Sequence, residues 1–519
     1  MKIVTTEQMS SIENVCAKNK ISNNLLMENA GLKAAKICKN VLSKNSTANN
    51  RNTLIMVGSG NNGGDGLVVA RHLSKWGETV TVYNCSQPGR IHKKASELPE
   101  GIKIVQSKSD NDMKLLSGLV SEATIVVDGI IGTGMTRPIS GQLQLQLELL
   151  KLVQKNRPKL IVISLDLPTG INTDTGQTSI CAVSADITVA FGYPKIAHYT
   201  MPAATNCGSV SIVDIGIPEE LGQGINVALI TPEWVKSKLP KRSMNAHKGD
   251  FGKVLFVGGC QQYKGAAYLA TRASTRVGTG LVTAATPASI QLSLVSKIPE
   301  ITYLSLPETA DGHIDSTADK KVLSSMTNYD AMLIGCGIGL TDSTASFLVK
   351  LLLSGFQLPS SVIDADALTI LSKQDNWYKR FNQLAILTPH FGEMSRLIES
   401  NASIPEYIPM ETIIGYAQMW NKIVVLKGPY TRVVSPNGGV LLSPFANPGL
   451  ASAGTGDVLA GIITGLLAQG LNMTDSAALG VYIHATAGER IKNKTGDAGM
   501  VASDLLDDLP SSIAYLKGV

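Results

Sequence analysis

The stretch NPGLASAGTGDVLAGIITGLLA, residues 447–468, runs a glycine-rich turn into an apolar helix, and its reading decides the fold of half the chain. Within it, Gly454-Thr455-Gly456-Asp457 opens directly onto the helical run. Glycine lets the backbone turn sharply and approach an anion closely. The free N–H groups and positive dipole end of a following helix suit a phosphate. A carboxylate beside such a site is electrostatically costly unless it does chemistry. Asp457 can do it by taking a proton from a substrate hydroxyl while the turn stabilises charge on a phosphoryl group. Taken alone, the segment also fits a plain helix start with an acid in its first turn.

Three further loops share this character. Lys427-Gly428-Pro429-Tyr430-Thr431 ends a strand with a lysine, two backbone breakers and a hydroxyl, where α/β sheets bind nucleotides. Gly335-Cys336-Gly337-Ile338-Gly339 also follows a strand; its spacing reads as close backbone approach to a ligand rather than as a dinucleotide fingerprint. In Thr388-Pro389-His390-Phe391-Gly392-Glu393, His390 could touch a ligand. Glu393 could place Mg2+ through water, or be only an acid in a helix's first turn.

The first half carries its own loop set. Strand Leu54–Val57 enters Gly58-Ser59-Gly60-Asn61-Asn62-Gly63-Gly64-Asp65-Gly66, where five glycines in nine residues imply a turn with amides free for phosphate. Val127-Asp128-Gly129 and Leu165-Asp166-Leu167-Pro168-Thr169-Gly170 each put an acid at a strand end before a flexible loop. Strand-end carboxylates on neighbouring parallel strands converge at one sheet edge, and a buried acid there has a raised pKa that suits proton transfer. Either aspartate by itself could be a helix cap.

A length of 519 residues exceeds one core, so two or more domains are expected. Both halves alternate short β-rich runs with helical segments, which predicts two tandem doubly wound α/β modules with a boundary at about residue 225. Strands are expected at 54–57, 80–83, 125–127, 160–165, 253–257, 281–285, 331–334, 361–363 and 423–427. A hairpin of Arg432–Val434 with Val440–Leu442 should turn on Pro436-Asn437-Gly438-Gly439. Helices are expected at about 6–43, 67–76 and 265–277. The composition is 44% hydrophobic and 17% charged, that of an ordinary globular protein. A net charge of +5 without basic runs argues against a nucleic-acid surface. The 7 cysteines form no CxxC pair and fit a reducing cytoplasm. No signal pattern opens the chain, and no apolar run reaches the roughly 20 residues that span a bilayer, so a membrane partner is not expected. No residue indicates an oligomeric state, and a homo-oligomer stays open.

The set Tyr263-x-Gly265-Ala266-Ala267, TPHFGE, KGPYT and NPGLASAGTGDVLAG resembles the ADP/ATP-dependent NAD(P)H-hydrate dehydratases of the ribokinase-like superfamily, over residues 225–519. GNNGGDG, VDGIIGTG and DLPTGI resemble the NAD(P)H-hydrate epimerases, over residues 1–224, which implies an N-terminal Rossmann-like three-layer α/β/α domain. The resemblance implies bifunctional repair of NADHX and NADPHX, nicotinamide coenzymes hydrated at C6. Epimerisation would equalise the R and S forms, and dehydration of the S form would use ADP, leaving AMP and phosphate. It further implies Asp457 and Asp166 as catalytic residues. Asn61, Asn62, Gly63, Gly64 and Asp65, with Gly132, Thr133, Gly134, Met135, Thr136, Arg137, Pro138 and Asp166, would bind the hydrate for epimerisation. Ala267, Gly337, His390 and Asp457 would face it for dehydration. Lys427, Gly428, Pro429, Tyr430, Thr431 and Gly456 would contact ADP or ATP, with Mg2+. Asn62, Asp128 and Thr169 would hold a potassium ion (K+). Met135 and Thr136 stand where relatives often carry a bulkier residue, which changes the expected shape of the nicotinamide pocket.

Two other readings compete. One is a ribokinase-type kinase of a hydroxymethyl vitamin or sugar with an auxiliary first domain. The other makes the first domain a non-catalytic binding module, against which Asn62, Asp128 and Asp166 argue.

Overall fold

A computed structural model describes residues 1–519 except 46–50, 88, 111, 136, 399–407 and 519. It divides into two compact units, Met1–Ile225 and Asn226–Val519.

The first unit is built on seven strands: β1 (Asn52–Val57), β2 (Thr79–Asn84), β3 (Lys103–Gln106), β4 (Ile125–Gly129), β5 (Ile161–Leu165), β6 (Ile187–Phe191) and β7 (Ser209–Val213). All pair in parallel, in the order β3-β2-β1-β4-β5-β6-β7. Strand β1 shows why the sheet is buried on both sides. Leu54 and Met56 enter one hydrophobic cluster, Ile55 and Val57 the other, the period-two alternation of a strand covered twice. The order reverses between β1 and β4, which opens a crevice at the carboxyl ends of those strands.

The expected glycine loop is mostly helix. Gly60 caps a helix over Asn61–Lys75, six residues earlier than the apolar pattern at Leu67 suggests. The glycines serve close packing rather than a long loop: a Cβ on Gly63 would collide with the carbonyl oxygen of Gly58.

The second unit has ten strands: β8 (Val227–Leu229), β9 (Lys253–Val257), β10 (Leu281–Pro287), β11 (Thr302–Leu306), β12 (Ala331–Ile334), β13 (Ser360–Ile363), β14 (Ala385–Leu387), β15 (Ile423–Leu426), β16 (Arg432–Val434) and β17 (Val440–Leu442). Their order is β11-β10-β9-β12-β13-β14-β15-β16-β17-β8. The β16–β17 hairpin has the expected bounds and supplies the antiparallel pairings, while the other pairs run parallel. Strands β3, β6, β7, β8, β11 and β14 were not anticipated; β8 and β14, at three residues each, are too short to show a period. Helix Thr455–Ala468 is buried along Val458–Ala468 and joins the core that holds Lys264–Arg276 and Met473–Thr495 against the sheet. Among the described residues no helix is long and apolar enough to cross a membrane.

Candidate active sites

In the first unit, loops after β1, β4 and β5 converge as adjacency requires: Val57 pairs with Gly129, and Asp128 with Ser164. Beside them opens a cavity of about 760 Å³, lined by Asn61, Asn62, Asp65, Gly132, Thr133, Gly134 and Asp166. Met135, Arg137 and Pro138 follow on the same loop but do not line it, and Gly63 and Gly64 lie within the helix start. Thr136 lies outside the described residues.

Asp166 adopts φ +60°, a left-handed conformation uncommon outside glycine. Its surroundings hold it there. The backbone N–H of Asp166 donates to Val189 O at 2.8 Å, and His198 Nε2 donates to Asp166 O at 2.8 Å. Burial, then the neighbouring Lys195, lowers the His198 pKa to about 4, so the ring is neutral and Nδ1 is free to accept from the Lys195 N–H. The buried Lys195 ammonium bonds the Asp166 carboxylate, and the Phe191 N–H adds a bond at 3.2 Å. The fold makes Lys195 the counter-ion of Asp166.

Asp128 is fully buried. Thr169 donates to it from Oγ1 at 2.6 Å and from N at 2.8 Å, and Ser164 Oγ donates at 2.9 Å. Burial still raises its pKa, although these bonds pull the other way. Asn62, also buried, has no hydrogen-bond partner on either Oδ1 or Nδ2, and a Cβ on Gly132 would lie 3.2 Å from Oδ1. An amide oxygen without a partner, a buried carboxylate and a threonine hydroxyl are oxygen donors of the kind a hard cation takes.

The second unit gathers its chemistry at the carboxyl ends of β12 to β15. Gly454 caps the helix at φ +86°, where a side chain would be strained, and Asp457 is the third residue of that helix. The sequence reading missed Asp364, which follows β13 as Asp166 follows β5; the run Val362-Ile363-Asp364 carries the same strand-end signal. Oδ1 of Asp364 accepts from Lys427 Nζ at 2.7 Å and from Thr388 Oγ1 at 2.7 Å. Cys336 Sγ lies 3.6 Å from Asp364 Oδ2, and one ligand atom each of Cys336, Asp364 and Asp457 falls within 4.8 Å of the others. Burial, then Asp364, pushes the Asp457 pKa up to about 7, with Cys336 and Lys427 opposing.

Lys427, expected to contact a nucleotide, is paired with carboxylates. Burial works against its charge, but Asp364 and Glu393 outweigh this and leave its pKa above the ordinary value. A Cβ on Gly456 would stand 3.4 Å from Nζ, so the ammonium faces the glycine turn. Gly428-Pro429-Tyr430-Thr431 forms a tight turn closed by Thr431 Oγ1 donating to Gly428 O at 2.8 Å. Glu393 is an acid in a helix's first turn, one of its two readings. It caps the helix Phe391–Leu397 by accepting from the His390 N–H at 2.8 Å, and it lies 3.7 Å from Lys427. Its carboxylate, beside this ammonium, is an oxygen donor of the kind Mg2+ takes through water. The His390 ring is half exposed.

Two expectations change. Gly337 (φ +61°) permits close approach of the chain itself: a Cβ there would lie 2.8 Å from Tyr263 Cβ and 2.9 Å from its carbonyl oxygen. Ala267 is fully buried, and a Cβ on Gly259 would lie 2.9 Å from its side chain. His484 was also missed. Its Nε2 donates to Thr455 O at 3.0 Å, and burial keeps the ring neutral, with a pKa of about 4.

A doubly wound unit with an acid-lined crevice, followed by one that sets a helix-start aspartate against a lysine–carboxylate pair, defines a two-site α/β enzyme. Comparison with known proteins makes this particular. Residues 254–511 match the family model described as NAD(P)H-hydrate dehydratase, and residues 23–197 that described as YjeF-related protein N-terminus. The bifunctional NAD(P)H-hydrate repair enzyme of Moorella thermoacetica is 37% identical, covering 100% of this chain and 97% of its own length. That of Thermofilum pendens is 32% identical with the same coverage. Among solved structures, the ADP/ATP-dependent NAD(P)H-hydrate dehydratase of Bacillus subtilis, co-crystallised with ATP/Mg2+ and soaked with CoA, is 27% identical. It matches with a TM-score of 0.48 over 56% of this chain and 100% of its own. The chain belongs to the bifunctional NAD(P)H-hydrate repair enzymes.

Proposed function

We propose that residues 1–224 act as the epimerase and residues 225–519 as the ADP-dependent dehydratase, so that both C6 epimers of NADHX and NADPHX return to NAD(P)H. The observation that carries the second assignment is Asp457, whose pKa of about 7 at a glycine-flanked helix start suits a general base near neutrality. Asp457 takes the proton of the C6 hydroxyl as that oxygen attacks the terminal phosphorus of ADP, and AMP leaves. The Gly454–Gly456 amides and the Lys427 ammonium stabilise the transferring group. The ring-nitrogen lone pair then expels phosphate, and loss of a C5 proton restores the coenzyme. Lys427–Thr431 and Gly456 contact the nucleotide, while His390 and the segments that carry Ala267 and Gly337 position the hydrate. Glu393 would hold Mg2+ through water, and the ion would offset phosphate charge.

In the first unit, Asp166 exchanges protons with the hydrate, supported by its ion pair with Lys195 and its constrained backbone. The loops Asn61–Asp65 and Gly132–Pro138 bind the substrate. Asn62, Asp128 and Thr169 would hold K+, which would offset the buried Asp128 charge. The seven free cysteines fit work in the cytoplasm.

The test mixes purified protein with racemic hydrate and ADP or ATP and follows absorbance at about 340 nm. Complete recovery of coenzyme is expected. A halt near half would remove the epimerase assignment, and a stable phosphorylated product would replace the dehydratase by a kinase.

A further inference from the structure

The crevice of the first unit holds more acid than one catalytic aspartate needs. Glu13, on the helix Thr6–Lys18, lines the same cavity as Asp65, Asp166 and Lys195. Arg90 and Lys93 also line the cavity, but the cation bonded to a carboxyl group of this set is Lys195, and it is bonded to Asp166. Like charges gathered in a half-buried space oppose one another's ionisation. Asn62, nine-tenths buried with both amide atoms unpartnered, lines the same space and marks it as built for a ligand.

Resting on the epimerase reading above, we propose that Glu13 is the second proton-transfer residue of epimerisation, working against Asp166 across the C6 centre. Glu13 comes from the N-terminal helix and Asp166 from the end of β5, so the two enter the cavity from different elements. The groups that interact electrostatically with Glu13 are Asp65, Asp166, Lys195 and its own helix neighbour Cys16, and Arg90, His92 and Lys93 line the same cavity. Burial, then Asp166, raises the pKa of Glu13, with Lys195 opposing. Two carboxyl groups in unlike surroundings, one without an ion-pair partner among the described residues and one bonded to an ammonium, are the arrangement an acid–base couple requires.

The step balances without a further reactant. Glu13 gives its proton to the C6 oxygen. The C6–O bond breaks with its electron pair, water leaves, and the ring-nitrogen lone pair forms the C6=N bond. Water adds to the opposite face and loses a proton to Asp166. The proton has moved from Glu13 to Asp166, so the exchanged pair serves the opposite epimer.

The experiment uses the full chain and pure R hydrate without nucleotide, with separation of the epimers over time. Dehydration of S hydrate with ADP serves as the folding control. Glu13→Gln is expected to slow epimerisation by about a hundredfold or more in kcat with KM little changed. Glu13→Asp should restore part of the rate, and Glu13→Gln should lose one limb of the pH profile. In water labelled with oxygen-18, each wild-type inversion should place the label at C6. Wild-type turnover in Glu13→Gln would overturn the role of Glu13, and so would a loss confined to KM, or a comparable loss found only in Asp65→Asn. If Glu13→Gln is fully active while Asp166→Asn is dead, Glu13 falls and the Asp166 reading stands; if Asp166→Asn is also active, that reading falls as well.

Discussion

Replacing Asp457 by asparagine should cost the enzyme its dehydration and make its C-terminal unit more stable. The site explains both. Moving a carboxyl from its ordinary 3.8 to about 7 means that ionising Asp457 in the folded protein is unfavourable by about 4 kcal/mol, at 1.36 kcal/mol for each tenfold change. The sign follows from linkage. Below pH 4 both folded and unfolded chains keep this proton, and the site costs nothing. As pH rises from about 4 to 7 the unfolded chain loses the proton first, so stability falls; above 7 the full cost is present. Asparagine removes the charge but leaves a buried amide to satisfy, so about 1–3 kcal/mol of the cost should return.

Urea unfolding of wild type and Asp457→Asn at pH 8 and pH 5 measures this, read as a separate transition of the C-terminal unit. The gain should be present at pH 8 and smaller at pH 5. Coenzyme recovery from S hydrate should fall by about a hundredfold to ten-thousandfold, the usual contribution of a general base. In wild type that rate should drop about tenfold per pH unit below 7 and level off above it. A variant destabilised at pH 8, or one that dehydrates at the wild-type rate, would refute the assignment of Asp457 as a strained base.

Three other outcomes follow from the same geometry. Lys427→Met leaves Asp364 and Glu393 buried without their shared cation and should destabilise the C-terminal unit by about 3–5 kcal/mol; an unchanged urea midpoint would contradict this. Asn62→Ala removes an amide that bonds nothing in the protein, so stability should change by less than about 1 kcal/mol while epimerisation and its response to K+ drop tenfold or more. Titrating K+ against epimerisation rate in both proteins checks it, and identical curves would dismiss the cation site. Gly63→Ala drives a methyl into the Gly58 carbonyl and should abolish epimerisation while ADP-dependent dehydration of S hydrate continues; a normal epimerase would show that the helix start yields.

By itself the chain's order of residues determined a good deal. Short β-rich runs followed by glycine loops predict parallel α/β units, because a strand buried on both faces must be apolar and its connection must turn sharply at the carboxyl end. That local chemistry made the turn at Gly454–Asp457, the strand-end acids Asp128 and Asp166, and the β16–β17 hairpin legible. Packing decided the rest, because it depends on atoms far apart in sequence. Whether Asn61–Gly66 is loop or helix depends on how closely Gly63 must pass Gly58. Lys195 becomes the partner of Asp166, 29 residues away, only through the neighbouring ends of β5 and β6. Asp364 meets Lys427 across 63 residues because β13, β14 and β15 lie side by side. Glu13 reaches the crevice from a helix whose sequence is an ordinary amphipathic one. A motif names the groups that can do chemistry, but their charges and partners depend on burial and distance, which the chain acquires only when it folds.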